Sequence, residues 1–153
     1  MNMECSHDMG AIRRHDEEAF RKYGWYAHIV PDDAYPLGLN YHTHGMPESY
    51  GHQDIQVVLP IDPGKIHRIV SDIVWLVKDG RKFHAGEIAE GVIKGLNVSF
   101  VEAEESGRMV LRLILPDKNG ELLASRMDRE FAGQYLPYGV ELDTATDAGF
   151  EGL

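Results

Sequence analysis

Apolar positions change their spacing several times along the chain, and each change marks an element. The clearest pattern lies between Pro63 and Asp79, where Ile66, Ile69, Val70, Ile73, Val74 and Val77 recur at helical intervals as one stripe. Asp62 stands where an N-cap belongs, Pro63 occupies the first helical position, where a missing N–H costs nothing, and Gly80 closes the run. Residues 8–23 predict a second helix, with Ile12, Ala19, Phe20 and Tyr23 on one side, Ser6 or Asp8 as cap and Gly24 beyond its end. Strand-like runs cover Trp25–Val30 and Ala34–Leu39, which pair as a hairpin across Pro31-Asp32-Asp33, and Ile55–Leu59, rich in β-branched residues. Further strands are predicted near Ile88–Ile93, then Leu96–Glu104 and Arg108–Leu115 around the turn Glu105-Ser106-Gly107. Pro116-Asp117-Lys118-Asn119-Gly120 is a turn, since Asn-Gly tolerates positive φ, and Met127–Tyr135 reads as a short helix. Asn40–Gln53 has no period and reads as a loop.

Strands interrupted by helices, with adjacent hairpin partners, predict an α+β domain. Its sheet is expected to be mainly antiparallel, with the helix of residues 63–79 packed on one face and a further helix at the N-terminus. Residues 1–138 form this single domain, and residues 139–153 form an acidic tail. At 153 residues the chain is long enough for one core without staples.

Composition narrows the function classes. The net charge is -10, and fifteen basic residues are scattered rather than clustered, which excludes a phosphate-backbone reader. The last fifteen residues hold four acids and no base. The longest apolar run, Ile73–Val77, is far short of the ~20 residues a membrane helix needs, so no membrane partner is expected. The N-terminal residues show neither a basic start nor an apolar stretch, hence no expected signal peptide. A single cysteine, Cys5, permits no internal disulfide and suits a reducing, cytoplasmic setting.

Candidate chemistry concentrates in Tyr41–His52. His42 and His44 project to one side if extended, and His52 or Glu48 would complete a nitrogen and oxygen shell for Zn or Ni. The metal-free alternative is an acid–base or ligand-binding site in which Tyr35, Tyr41, His42, His44, Glu48 and His52 are the residues at stake. Neither a His-Glu-x-x-His helix, nor a paired Cys-x-x-Cys, nor a Gly-x-Ser-x-Gly elbow is present, and polar loop histidines are common without a ligand. Asp62-Pro63-Gly64-Lys65 lacks the first glycine and the final Ser or Thr of a phosphate loop and is explained by helix capping. Glu102 and Glu104 share a sheet face beside a turn, the usual position of solvated carboxylates.

Ordered along the chain, Gly24-Trp25, Ala34-Tyr35-Pro36-Leu37-Gly38-Leu39, Met46-Pro47-Glu48, the Asp62–Asp79 helix, Gly80 with Phe83, and Pro116-Asp117-Lys118-Asn119-Gly120 form a recognisable series. Over residues 15–125 the chain resembles the bacterial family of domains of unknown function numbered 4262. Pro36 departs from the family's small β-branched residue, and Met46 from its common histidine. The resemblance implies a fold and a bacterial or phage origin, but no chemistry.

Trp75 falls about 180° from the core stripe of its helix, beside Arg68, Ser71 and Lys78. Either Phe83 or the terminal segment covers it, or these four residues form the interface of a homodimer. Two functions follow. The first is a non-enzymatic binding or interaction module that needs no cofactor and takes a small-molecule or protein ligand. The alternative is a small-molecule enzyme, a metal-assisted hydrolase, centred on residues 41–52. The missing nucleophile and incomplete metal signature favour the first.

Overall fold

The computed structural model describes residues 9–31 and 38–136. Helix α1 (Met9–Tyr23) leads into strand β1 (Tyr26–Pro31), and β2 (Leu39–His44) into a short helix, α2 (Met46–Tyr50). Strand β3 (Ile55–Val57) and helix α3 (Pro63–Lys78) precede β4 (Ile88–Ile93), β5 (Leu96–Glu105) and β6 (Arg108–Ile114). A helical turn, α4 (Arg129–Ala132), continues as a 3-10 turn over Gly133–Tyr135. Tyr35, Cys5, the caps expected at Ser6 or Asp8 and the tail of residues 139–153 lie outside the described residues.

Helix α3 forms where its stripe predicts. The Asp62 side chain accepts a hydrogen bond from the Lys65 N–H at 3.1 Å, satisfying one of the donors that a helix start leaves unpaired. Ile66, Val70, Ile73, Val74 and Val77 are buried, and Ile69 packs at the margin. They meet Ile55, Val57, Phe100, Leu111 and Leu113 from the sheet in one core. Each fully buried aliphatic side chain of this kind contributes roughly 1.5–3 kcal/mol relative to an exposed one.

Among the described residues the strands form one six-stranded sheet in the order β1-β2-β3-β6-β5-β4. All neighbours are antiparallel except β3 and β6, which run parallel through Ile55↔Leu111 and Gln56↔Arg112. This is the expected α+β class. The registers align one transverse row: His28 faces His42, His42 faces Gln56, and Gln56 faces Arg112. Strand alternation places Tyr41 on the α3 side of β2 and His42 on the other.

The stretch expected to be a loop, Asn40–Gln53, is instead the body of β2 followed by α2. The alternation that would reveal β2 is missing because Asn40 to Thr43 are buried on both faces of the strand. Helix α2 starts without a side-chain cap, from Gly45 at φ 101 and ψ -11. A Cβ on Gly45 would lie 2.8 Å from the Phe20 ring and 3.0 Å from the Gly24 carbonyl oxygen, so only glycine lets α1 settle here. Among the described residues no helix is long and apolar enough to cross a membrane.

Candidate functional site

The β1–β2 hairpin builds the site by register alone. His28 and His42 are directly paired, and His44 shares their face two residues along β2. One ring nitrogen from each of the three lies within 4.8 Å of the others, close enough that the three could converge on one metal ion. The ring centroids are 5.8 Å apart for His28–His42, 5.1 Å for His28–His44 and 5.0 Å for His42–His44. Tyr26 stacks on His44 at 5.1 Å and 19°, which limits rotation of that imidazole.

Hydrogen bonds to the outer nitrogens fix two of the rings. His28 Nε2 donates to Asp16 Oδ2 at 2.9 Å, so α1 supplies a carboxylate behind a β1 histidine. His42 Nδ1 lies 3.1 Å from Asn40 Oδ1, and its Nε2 is 3.7 Å from Glu105 Oε2. Carboxylate and amide partners of this kind set the tautomer and orientation of metal-binding histidines. Burial pushes His42 down to about 4, helped by the charges of His28 and Arg108 and opposed by Glu105. Burial likewise pushes His44 down to about 3, with Arg108, His42 and His28 acting in the same direction. Both imidazoles are therefore neutral at pH 7 and carry the lone pair that a metal needs.

His28 and His44 open onto a cleft of about 870 Å³, within the size range of small-molecule sites. Asp16, Glu17, Glu48 and Asp54 line it against Arg13 and Arg108, an acidic surplus that favours an incoming cation. Phe20, Tyr26, Pro47 and Met109 supply its apolar walls. Arg108 is committed to the frame: it donates to Asp54 at 2.6 Å, to Glu105 at 3.0 Å and to the Thr43 carbonyl at 2.8 Å. Burial raises Asp54, which Thr43, the Met46 N–H and Arg108 partly offset. Burial would raise Glu105 too, but the Ser106 hydroxyl, His42 and Arg108 outweigh it and hold the carboxyl below its ordinary value.

The sequence candidates separate in space. His42 and His44 come together, and Glu48 lines the same cleft. Tyr41 points the other way, its hydroxyl 2.9 Å from His67 Nδ1 of α3. His52 is a structural histidine: Nδ1 bonds the Gln53 carbonyl oxygen at 2.8 Å and Nε2 accepts from the Phe83 N–H at 3.1 Å. Both its nitrogens are occupied, so the third imidazole of the cluster is His28 in its place. His28 was visible only as a strand residue. The one signal that could have raised it is the shared alternation of β1 and β2, which needs the register. Glu105 is buried although it follows the exposed Glu102 and Glu104, because the β5–β6 turn folds it back onto Arg108.

Among the interface candidates, Trp75 is 65% exposed with Lys78 Nζ 5.7 Å above its ring, and Arg68 and Ser71 are nearby on α3. Phe83 does not cover it, being buried against Phe100 at 5.0 Å. The terminal segment that could have done so lies outside the described residues.

The family model described as "Domain of unknown function (DUF4262)" matches residues 19–114, more than half of the chain. No curated protein and no solved structure matches it.

Proposed function

We propose, for a chain that belongs to the DUF4262 family, that His28, His42 and His44 hold a divalent transition-metal ion that serves hydrolysis of a small molecule in the adjoining cleft. The observation that carries this reading is the convergence of three imidazoles from paired strands at the edge of a cleft. Imidazole donors suit Zn or Ni, and three protein ligands leave a coordination position for water or substrate. A Zn ion held there would supply Lewis-acid chemistry, lowering the pKa of water at the open position to about 7. Glu48 and Glu17 are the lining carboxylates proposed to accept a proton, because Asp16 is held by His28 and Asp54 by Thr43, Met46 and Arg108. This reading takes the enzyme alternative over the cofactor-free module, since His28 and His44 line a cleft and hydrogen bonds already engage one nitrogen each of His28 and His42. The test is calorimetric titration of untagged, metal-stripped protein with Zn²⁺. One ion per chain is expected for the wild type and none for His28→Ala with His44→Ala. Absence of stoichiometric binding by a folded wild type would sink the metal reading.

A second reading concerns assembly and rests on the exposed Trp75. A tryptophan offers roughly 150–250 Å² of surface, and an isologous dimer would use the α3 face twice, with Arg68, Ser71 and Lys78 as its polar border. Two such chains would associate without involving the histidine cleft, which lies on the other side of the sheet.

A further inference from the structure

The row that crosses the sheet behind His42 is a chain of donors and acceptors with only one consistent direction. It begins at Arg112, which is 1% exposed and is a donor at every nitrogen. Its Nη1 is held by the carbonyl oxygens of Gln134 and Leu136, at 3.0 and 2.6 Å. Its Nε–H donates to Gln56 Oε1 at 2.8 Å. Because arginine cannot accept, the Gln56 amide must turn its oxygen toward Arg112 and its NH₂ away from it. That NH₂ donates to Asn40 Oδ1 at 3.1 Å, which fixes the Asn40 amide in turn. The same Asn40 oxygen faces His42 Nδ1 at 3.1 Å. An amide oxygen only accepts, so Nδ1 must carry the proton.

The competing arrangement would put the proton on Nε2, facing Glu105. Glu105 Oε2 is 3.7 Å away, beyond hydrogen-bond reach, and already accepts from Ser106 at 2.7 Å. The Asn40 contact therefore decides the tautomer. From this geometry we propose that Arg112, Gln56 and Asn40 are positioning residues of the histidine cluster, a buried relay that holds His42 with Nδ1 protonated and its Nε2 lone pair available to a metal ion. The inference rests on the metal reading for its purpose, while the tautomer itself is measurable without any metal.

Long-range ¹⁵N–¹H correlation spectra of the metal-free protein report which nitrogen of His42 carries the proton. The wild type is expected to show the Nδ1–H form, and the Nε2–H form there would overturn the relay. Gln56→Glu offers Asn40 an acceptor where the wild type offers a donor. The Asn40 amide is then expected to reverse and to switch His42 to Nε2–H, a change that loss of packing alone would not produce. A folded Gln56→Glu protein that keeps Nδ1–H contradicts the proposal. For function, Asn40→Leu is expected to weaken Zn²⁺ binding by about 10–100-fold, whereas Asn40→Asp, which keeps an acceptor at that place, retains it. Equal affinity of Asn40→Leu and wild type refutes the positioning role. A wild type that binds no Zn²⁺ but shows Nδ1–H would end the metal reading and leave the relay standing.

Discussion

Replacing Gly45 with alanine should loosen the helix that closes the histidine cleft, and the cost can be worked from two separate terms. The first is backbone strain: φ 101 with ψ -11 lies outside the small left-handed region open to other residues. The second is steric, because the new Cβ would sit 2.8 and 2.9 Å from two Phe20 ring atoms and 3.0 Å from the Gly24 oxygen. Strain of this kind costs about 1–2 kcal/mol, and forcing a methyl into a packed contact a further 1–3 kcal/mol or so. Gly51 supplies the control. Its φ of 65 and ψ of 29 fall near the ordinary left-handed region, and nothing lies within 4 Å of its would-be Cβ. Gly51→Ala should therefore cost only about 1 kcal/mol, and Gly45→Ala about 2–5 kcal/mol. For a domain of this size each kcal/mol lowers Tm by roughly 2–4 °C, so urea and thermal unfolding would separate the two variants. Equal losses within error would show that α1 does not pack on Gly45, and would undo the account of how Asp16 is brought to His28.

Two further outcomes are expected. In the metal-free protein, His42 and His44 titrate below their ordinary 6.5, at about 4 and about 3, so the folded chain binds fewer protons than the unfolded one across this interval. Their contribution is full above about pH 6.5 and is lost as pH falls toward 4, on the order of 3 kcal/mol for His42; urea midpoints of wild type and His42→Gln should converge in acid, and parallel profiles would contradict the assignment. Trp75→Glu should convert a dimer to a monomer without unfolding it, read by light scattering coupled to gel filtration; a wild type that is monomeric at micromolar concentration ends the interface reading.

How far the chain could be read depended on where each residue's partners lie. Helix α3 was legible because Asp62, Pro63 and its six-residue stripe are all local signals, and the Arg108 to Ile114 strand was legible beside its turn. Most of the strand expected over 34–39 lies outside the described residues, and β2 read as a loop because buried Asn40, His42 and Thr43 look like loop residues when their partners are unknown. Two of those partners, Asp54 and Gln56, arrive only with the segment beyond α2. Helix α2 carries Pro47 in its first turn and no capping side chain, so nothing in Met46–Tyr50 announces a helix. The pairing of His42 with His44 followed from alternation, but His28 needed the hairpin register, and the relay through Arg112 needed the parallel pairing of β3 with β6.

That parallel seam also dictates an order of assembly. The β1–β2 and β5–β6 hairpins join neighbours in sequence, whereas Ile55 meets Leu111 only after the intervening chain, α3 included, has been looped back. Closing a long loop costs entropy before its contacts repay it, so the two halves of the sheet should nucleate separately and the seam should close late. The three imidazoles belong wholly to the early hairpin, while Gln56 and Arg112 come into register at the last step. During refolding, an added ion would meet its ligands before the relay has chosen a tautomer for His42, and capture would precede tightening. Stopped-flow refolding with Zn²⁺ present should therefore resolve a fast binding phase followed by a slower one that tracks seam closure.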